Sequence, residues 1–341
     1  MIDIGEFDLL VRFGYRAVEE RNQPSRLLEF AVLAEKQGFQ FICISDHFHP
    51  WFHKGGRAGH AWIWLGAAGA KTNKVILGTG VTTSITRYHP AIIAQAFATL
   101  DELYPGRIFL GIGAGEAMNE MPMAPAGSRW APHKERLAQT VEAVEVIKSL
   151  WGKDFVDFNG KYYTLRQANL YTKPKRKIPI YFAAEGPNAL RAAGLHGDGL
   201  YLGTHDPEPV PKMFSLYDEA VRQSGRKPEE MPRMLEIKTS YDEDFDKALD
   251  SISIWRPPRA RAAGLGVPDP RELDRLREGV DPKALSKFVY TSMDQLIGDI
   301  ETMIKLGFTD IQVGGNSPDE EKFIKEFGKK ALPYLKDEYS K

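Results

Sequence analysis

The sequence predicts an α/β fold, a closed (β/α)8 TIM barrel with insertions. Short apolar runs alternate with stretches of helical periodicity along most of the 341 residues. Eight such strand–helix units can be counted, which suits a barrel better than an open doubly wound sheet. No repeat at solenoid spacing and no low-complexity run competes with that reading. Residues 1–341 are read as a single barrel domain, with a hairpin insertion near 154–171 and an irregular insertion near 255–285.

The elements follow in order. Leu9–Arg16 reads as strand one, and Ser25–Gly38 as a helix with Leu27, Leu28, Phe30, Ala31 and Ala34 at core spacing and a glycine stop. Phe39–Ser45 is strand two and Ala61–Thr72 its helix; Val75–Ser84 is strand three, and Pro90–Leu103 a helix with proline in its first turn. Arg107–Gly113 is strand four, followed by a long helix over about Pro132–Leu150. Asp154–Tyr171 breaks the rhythm, with Asn159-Gly160 between alternating apolar runs, a hairpin signal. Ile178–Ala184, Gly199–Thr204 and Arg233–Tyr241 are strands five to seven, with helices at Asn188–Leu195 and Pro211–Gln223. After Asp244–Trp255 comes a Pro-, Arg- and Gly-rich lobe, then a helix at Ser292–Leu306 and strand eight at Thr309–Gly314. The last helix runs from about Glu320 to Leu332, where Pro333 is expected to end it.

Lys and Arg number 45 against 46 Asp and Glu, so no basic surplus points to nucleic acid. No apolar run reaches membrane-span length, the amino terminus lacks a secretory pattern, and the single Cys43 sits in an apolar strand as a buried thiol. The chain reads as cytoplasmic, without membrane or nucleic-acid partners.

In a barrel, chemistry belongs at the carboxyl ends of the strands. There the chain places Asp46-His47-Phe48-His49-Pro50-Trp51, then Gly80-Val81-Thr82-Thr83, then Gly113-Ala114-Gly115-Glu116-Ala117-Met118-Asn119-Glu120, then Ala183 to Asn188. His47 and Glu116 are the candidates for proton handling, since histidine titrates near neutrality and burial raises a carboxyl pKa; the bland alternative is an ordinary hydrogen-bonded pair. Asp46, His47 and His49 lack a further ligand cluster at metal spacing, so no metal is expected. Trp51 would wall an aromatic cofactor or close the barrel mouth. GIGAGEA lacks the spacing of a dinucleotide fingerprint. The loop at Ala183–Ala189 would bind phosphate at a helix start or serve as a tight turn. The His60–Trp64 run is expected to be core.

Ser45-Asp46-His47-Phe48-His49-Pro50-Trp51 and the run RYHPAIIAQAFATLDELYPGRIFLGIGAGEAMNE resemble the luciferase-like oxidoreductases that use the deazaflavin coenzyme F420. Within them the chain is most similar to the secondary-alcohol dehydrogenase and glucose-6-phosphate dehydrogenase branch, from about Phe13 onward and most strongly over residues 45–120. The resemblance implies a dimeric barrel with the coenzyme at the carboxyl ends of its strands. Asp46 would meet the deazaflavin ring, Gly80-Val81 would form a bulge with a non-prolyl cis peptide behind it, and Thr83, Ala114, Gly115 and Asn119 would add contacts. Glu185, Gly186, Asn188 and Ala189 match the phosphate and tail loop, where the family often has glycine in place of Glu185. His47, Glu116 and Trp51 match the catalytic group. A hydride would pass from an alcohol carbon to the deazaflavin C5. His47 would stand at the substrate hydroxyl, Glu116 near ring N1 and Trp51 against the ring; the roles of His47 and Glu116 could be exchanged. Glu20 would hold the substrate or His47.

The sugar-phosphate branch carries two Lys and one Arg for the phosphate. Here Asp206 stands at the first of these positions, the second falls near Leu265, and the third near Phe288 beside Lys287. Arg256, Arg259 and Arg261 could substitute or form a solvated basic loop. DHFHPW, AGEAMNE, LYTKP (Leu170–Pro174) and GNSP (Gly315–Pro318) lean towards the secondary-alcohol branch, so a secondary alcohol oxidised to a ketone is the favoured expectation. A glucose-6-phosphate or other sugar dehydrogenase is the alternative, an FMN-dependent luciferase-like monooxygenase the more distant one, and a non-enzymatic coenzyme-binding barrel the last.

Overall fold

The structure is a computed structural model that describes residues 10–203, 206–256 and 266–340. Eight parallel strands form the barrel: β1 (Arg12–Ala17), β2 (Phe41–Ile44), β3 (Ile76–Thr79), β4 (Ile108–Gly113), β5 (Ile180–Ala183), β6 (Gly199–Leu202), β7 (Arg233–Glu236) and β8 (Asp310–Val313). Each pairs with the next, and β1 pairs with β8 through Arg12↔Asp310 to Tyr15↔Val313, which closes the ring. Helices α1 (Pro24–Gln37), α2 (Ala61–Lys71), α3 (Pro90–Leu103), α4 (His133–Gly152), α5 (Pro187–His196) and α6 (Val210–Gln223) follow the first six strands. After β7 come α7 (Phe245–Ile252), α8 (Pro270–Arg277) and α9 (Met293–Lys305), and after β8 comes α10 (Glu320–Glu326).

The two-residue period of a strand sends alternate side chains to opposite faces. Phe13, Tyr15, Leu77, Leu110, Ile112, Phe182, Leu235, Ile311 and Val313 point outward into the large core against the helices. Phe41, Cys43, Phe109, Tyr181, Tyr201 and Met234 point inward and fill the barrel. Glycines make room for those rings: a Cβ at Gly14 would lie 2.3 Å from the Phe41 ring, and one at Gly78 2.5 Å from Phe109. At the amino-terminal end of the strands, Arg12 Nε lies 2.6 Å from Asp310 Oδ1, and Tyr181 Oη donates to Asp310 Oδ2 at 3.1 Å. One layer higher, Arg16 pairs with Glu236 at 3.0 Å, while Tyr201 Oη donates to Glu236 at 2.6 Å and accepts from Gln312 at 2.9 Å.

The structure departs from the sequence reading at four points and adds a turn contact to the expected hairpin. Strand three does not run unbroken to Ser84: it stops at Thr79, passes the cis Gly80-Val81 peptide that the resemblance implies, and resumes as Thr82–Thr83 against β4. Strand seven likewise ends at Glu236, and Ser240–Tyr241 pairs instead with Val289–Tyr290. The hairpin forms at Val156–Asn159 and Thr164–Ala168, but its turn is organised by Glu142, whose carboxylate accepts from the backbone N–H groups of Lys161, Tyr162 and Tyr163. The lobe expected to be irregular contains α8, started by Asp269, whose side chain accepts from Arg271 N, with Pro270 in the first turn. Pro333 does not end the last helix. A π turn at Phe327–Ala331 widens the ladder, so proline falls in the first turn of a new segment, Leu332–Tyr339, where no N–H is needed. Leu9, Thr204, Arg259, Arg261 and Leu265 lie outside the described residues. No helix among the described residues is long and apolar enough to cross a membrane.

Candidate active site

The carboxyl ends of β1, β2 and β4 bring together Glu19, Glu20, Ser45, His47, Glu116 and Asn119. The Glu20 carboxylate is buried, with Oε1 3.2 Å from His47 Nε2 and Oε2 accepting from Ser45 Oγ at 2.5 Å. Asn119 is oriented by its neighbours: Oδ1 accepts from Phe48 N at 2.9 Å, so Nδ2 faces both Glu116 Oε2 at 3.1 Å and His47 Nδ1 at 2.9 Å. An amide nitrogen only donates, so His47 Nδ1 accepts. In neutral His47 the ring proton then sits on Nε2, facing Glu20. Glu116 Oε2 lies 3.8 Å from His47 Nδ1.

Burial raises the Glu116 pKa above the ordinary carboxylate range; His47 opposes the rise, Glu20 adds to it, Lys238 opposes and Glu236 adds. Glu19 lies one residue before Glu20 and is 2% exposed. Its Oε1 accepts from His47 N at 2.7 Å, and its own N–H donates to Ser45 Oγ at 3.2 Å. Burial, reinforced by Glu20, pushes the Glu19 carboxyl up to about 9, so it carries a proton at neutrality.

Asp46 points to the side of this group. Thr82 Oγ1 donates to its Oδ2 at 2.6 Å, and Arg87 Nη2 stands 2.8 Å from Oδ1. Arg87 also donates to the Asp46 carbonyl, and Trp62 Nε1 donates to Thr82 Oγ1 at 3.1 Å. Buried Glu120 accepts from Thr86 N and Arg87 N at 2.6 and 2.8 Å, which shapes the loop after Thr83. Thr83 Oγ1 is buried and finds no hydrogen-bond partner among the described residues. Gly115 has φ +73°, and a Cβ there would come within 2.7 Å of that hydroxyl. Ala114 offers its carbonyl to Arg136. Small residues and an orphaned hydroxyl at this place fit a flat ligand lying against Gly80-Val81, Thr83 and Gly115.

The remaining expected residues make none of the hydrogen bonds just described. Glu185 is exposed, half-buried Gly186 is the N-cap of α5, Asn188 is exposed in its first turn and Ala189 is buried. Among the described residues no side chain caps that helix start, whose positive end has the polarity an anion needs. Trp51 is half-buried, and Arg277 Nη1 donates to its carbonyl at 2.5 Å. Trp62 and Trp64 are buried as core, and so is Cys43, whose thiol pKa burial raises. Among the described residues no group of His, Cys, Asp or Glu could hold a metal ion. Sequence reasoning assigned no role to Glu19, Arg87 or Glu120; the Glu19-Glu20 doublet just past an apolar strand is the available signal for the first.

The chain is 39% identical over 336 residues to an F420-dependent glucose-6-phosphate dehydrogenase of Microbacterium testaceum, covering 97% of this chain and 99% of that protein. A protein of the same name from Nakamurella multipartita is 39% identical over 335 residues, covering 96% and 97%. A solved F420-dependent secondary alcohol dehydrogenase, in complex with an F420–acetone adduct, superposes with a TM-score of 0.89 at 36% identity, covering 96% of this chain and 99% of that one. The family model of the luciferase-like monooxygenases matches residues 6–293, and the chain belongs to that family.

Proposed function

We propose that this protein is an F420-dependent dehydrogenase acting on the CH–OH group of a small substrate. The observation that carries the reading is His47 held between Glu20 and Asn119 at the barrel mouth, with Glu116 beside it. Coenzyme F420, when bound, supplies the hydride acceptor. Asp46, Gly80, Val81, Thr83, Ala114, Gly115 and Asn119 would hold its ring, and Glu185, Gly186, Asn188 and Ala189 its phosphate and tail. A substrate hydroxyl would give up its proton to the His47–Glu20 pair, in which Nε2 faces Glu20 Oε1, and the Glu20 carboxylate, held by Ser45 Oγ, is the group that ends with the proton. Glu116, its pKa raised by burial, holds a proton for the coenzyme side of the site. Trp51 and the mouth residues keep water away.

For the substrate, the names of the relatives favour a sugar phosphate over the secondary alcohol towards which the motifs lean. Glucose 6-phosphate is therefore the first candidate. The secondary alcohol remains the second reading because of the solved dehydrogenase at 36% identity. The test mixes purified protein and oxidised F420 with glucose 6-phosphate, free sugars and secondary alcohols, with FMN run in parallel. Loss of the deazaflavin's visible absorbance with any hydroxyl substrate supports the proposal, and the responding substrate selects the branch. Absence of F420 binding overturns it.

We also place the protein in the cytoplasm, where buried Cys43 would stay reduced, and propose a homodimer through α2 and α3. Ile63, Ile92 and Leu103 on these helices are 73%, 52% and 59% exposed. Sedimentation showing a monomeric wild type would overturn the dimer.

A further inference from the structure

The lobe after β7 is fastened to the loop that carries the catalytic group. Arg277, at the end of α8, is 5% exposed. Its Nη1 donates to the Trp51 carbonyl at 2.5 Å and its Nε to the Arg256 carbonyl at 2.8 Å. One turn earlier, Asp274 Oδ1 lies 3.4 Å from Arg277 Nη1. Asp274 Oδ2 accepts from the backbone N–H groups of His53 and Lys54 at 3.0 and 3.2 Å. The Pro268 carbonyl stands 3.1 Å from His49 Nδ1. Helix α8 itself is anchored by fully buried Leu273. Between lobe and loop lies a cleft of about 680 Å³, lined by His49, His53, Met121, Pro268 and Asp269 among others.

A planar guanidinium holds several acceptors in one fixed geometry, which a single ammonium cannot do. Arg277 uses it to join two carbonyls from segments more than 200 positions apart in the chain. Since one of these belongs to Trp51, the backbone from which the indole projects is set by the lobe and not by its own loop alone. We propose that Arg277 is a positioning residue that places Trp51 against the reacting groups, so that the lobe takes part in the active site of the proposed dehydrogenase, on which this inference rests.

The experiment is a double-mutant cycle on the full-length protein, with Arg277→Met, Trp51→Phe and both together. It is read as kcat/KM for F420 reduction with the substrate identified above. Melting curves and F420 fluorescence titration accompany each variant. Arg277→Met is expected to lose tenfold to hundredfold in kcat/KM, as misplacement of a site group by about 1 Å does. In the Trp51→Phe background the same change is expected to cost less than about threefold. Arg277→Lys, which keeps the charge beside Asp274, should recover part of the loss. If Arg277→Met does not fold, the cycle is run with Arg277→Lys. Equal losses in the two Trp51 backgrounds would overturn the inference, as would no loss in a folded variant. Failure of the wild type to reduce F420 would instead strike the proposed function.

Discussion

The two ends of the barrel interior use similar residues to opposite effect. At the amino-terminal end, Arg12, Asp310 and Tyr181 form a closed set in which each polar group meets another. At the mouth, Glu19, Glu20, Asp46, Glu116 and Glu120 crowd around His47 and Arg87, and acids outnumber the bases beside them. The lower set holds the strands in register. In the upper set the pKa values of Glu19, Glu116 and Glu120 are raised, chiefly by burial. Unbalanced charge is thus confined to the end where protons must move.

Breaking the mouth should have the largest effect. Glu116→Gln is expected to lower kcat by about 10²–10⁴-fold, the usual worth of a positioned acid or base, while F420 still binds by fluorescence titration. Because burial raises the pKa of Glu116, its protonated form persists to higher pH than that of an ordinary carboxyl, and a wild-type rate that needs it falls as pH rises. The pH–rate profile of residual activity in the Gln variant should lose this alkaline limb. Breaking the lower end should cost stability and spare chemistry. Asp310→Asn removes the partner of Arg12, whose side chain is 34% exposed, so about 2 kcal/mol is expected rather than the ~3–5 kcal/mol of a fully buried pair. Urea unfolding measures this, and a loss of kcat larger than the loss of stability would erase the contrast.

Glu19→Gln sharpens the contrast at neutral charge. The Glu19 carboxyl is raised to about 9 in the fold, so its favourable contribution is complete below the ordinary Glu pKa and is lost as pH rises towards about 9. Melting temperatures of the wild type should fall across that window, and those of the Gln variant should fall less. The smallest effect is expected at Thr83→Val. Removing an orphaned hydroxyl should leave stability within about 0.5 kcal/mol, whereas F420 should bind about tenfold more weakly, the worth of one hydrogen bond. Unchanged F420 affinity would remove Thr83 from the coenzyme contacts.

Much of this was legible in the sequence because strand and helix periods are local signals. Pro90 starts α3 and Gly38, with φ +97°, closes α1, as the capping rules require. The runs around His47 and Glu116 pointed to the mouth because barrel chemistry sits at strand ends. What stayed hidden depends on partners distant in the chain. Nothing near Arg277 announces that it binds the Trp51 carbonyl, 226 positions away. Arg87 looks like an ordinary basic residue until the fold sets it against Asp46. The sequence carries β3 and β7 too far because strand-favouring residues, Val81-Thr82-Thr83 and Ile237, Thr239 and Tyr241, continue past the point where the backbone leaves the ladder.

The closing contact of the barrel also has a timetable. Arg12 meets Asp310, 298 positions later, and Val11 N donates to the carbonyl of Tyr339. On a ribosome adding about 5–20 residues per second, the first strand therefore waits roughly 15–60 s for its second neighbour. Throughout that interval β1 presents an open edge, which any other growing chain could pair with. A shortened chain lacking β8 would keep that edge permanently, and it would be lost to aggregation before its chemistry could be tested.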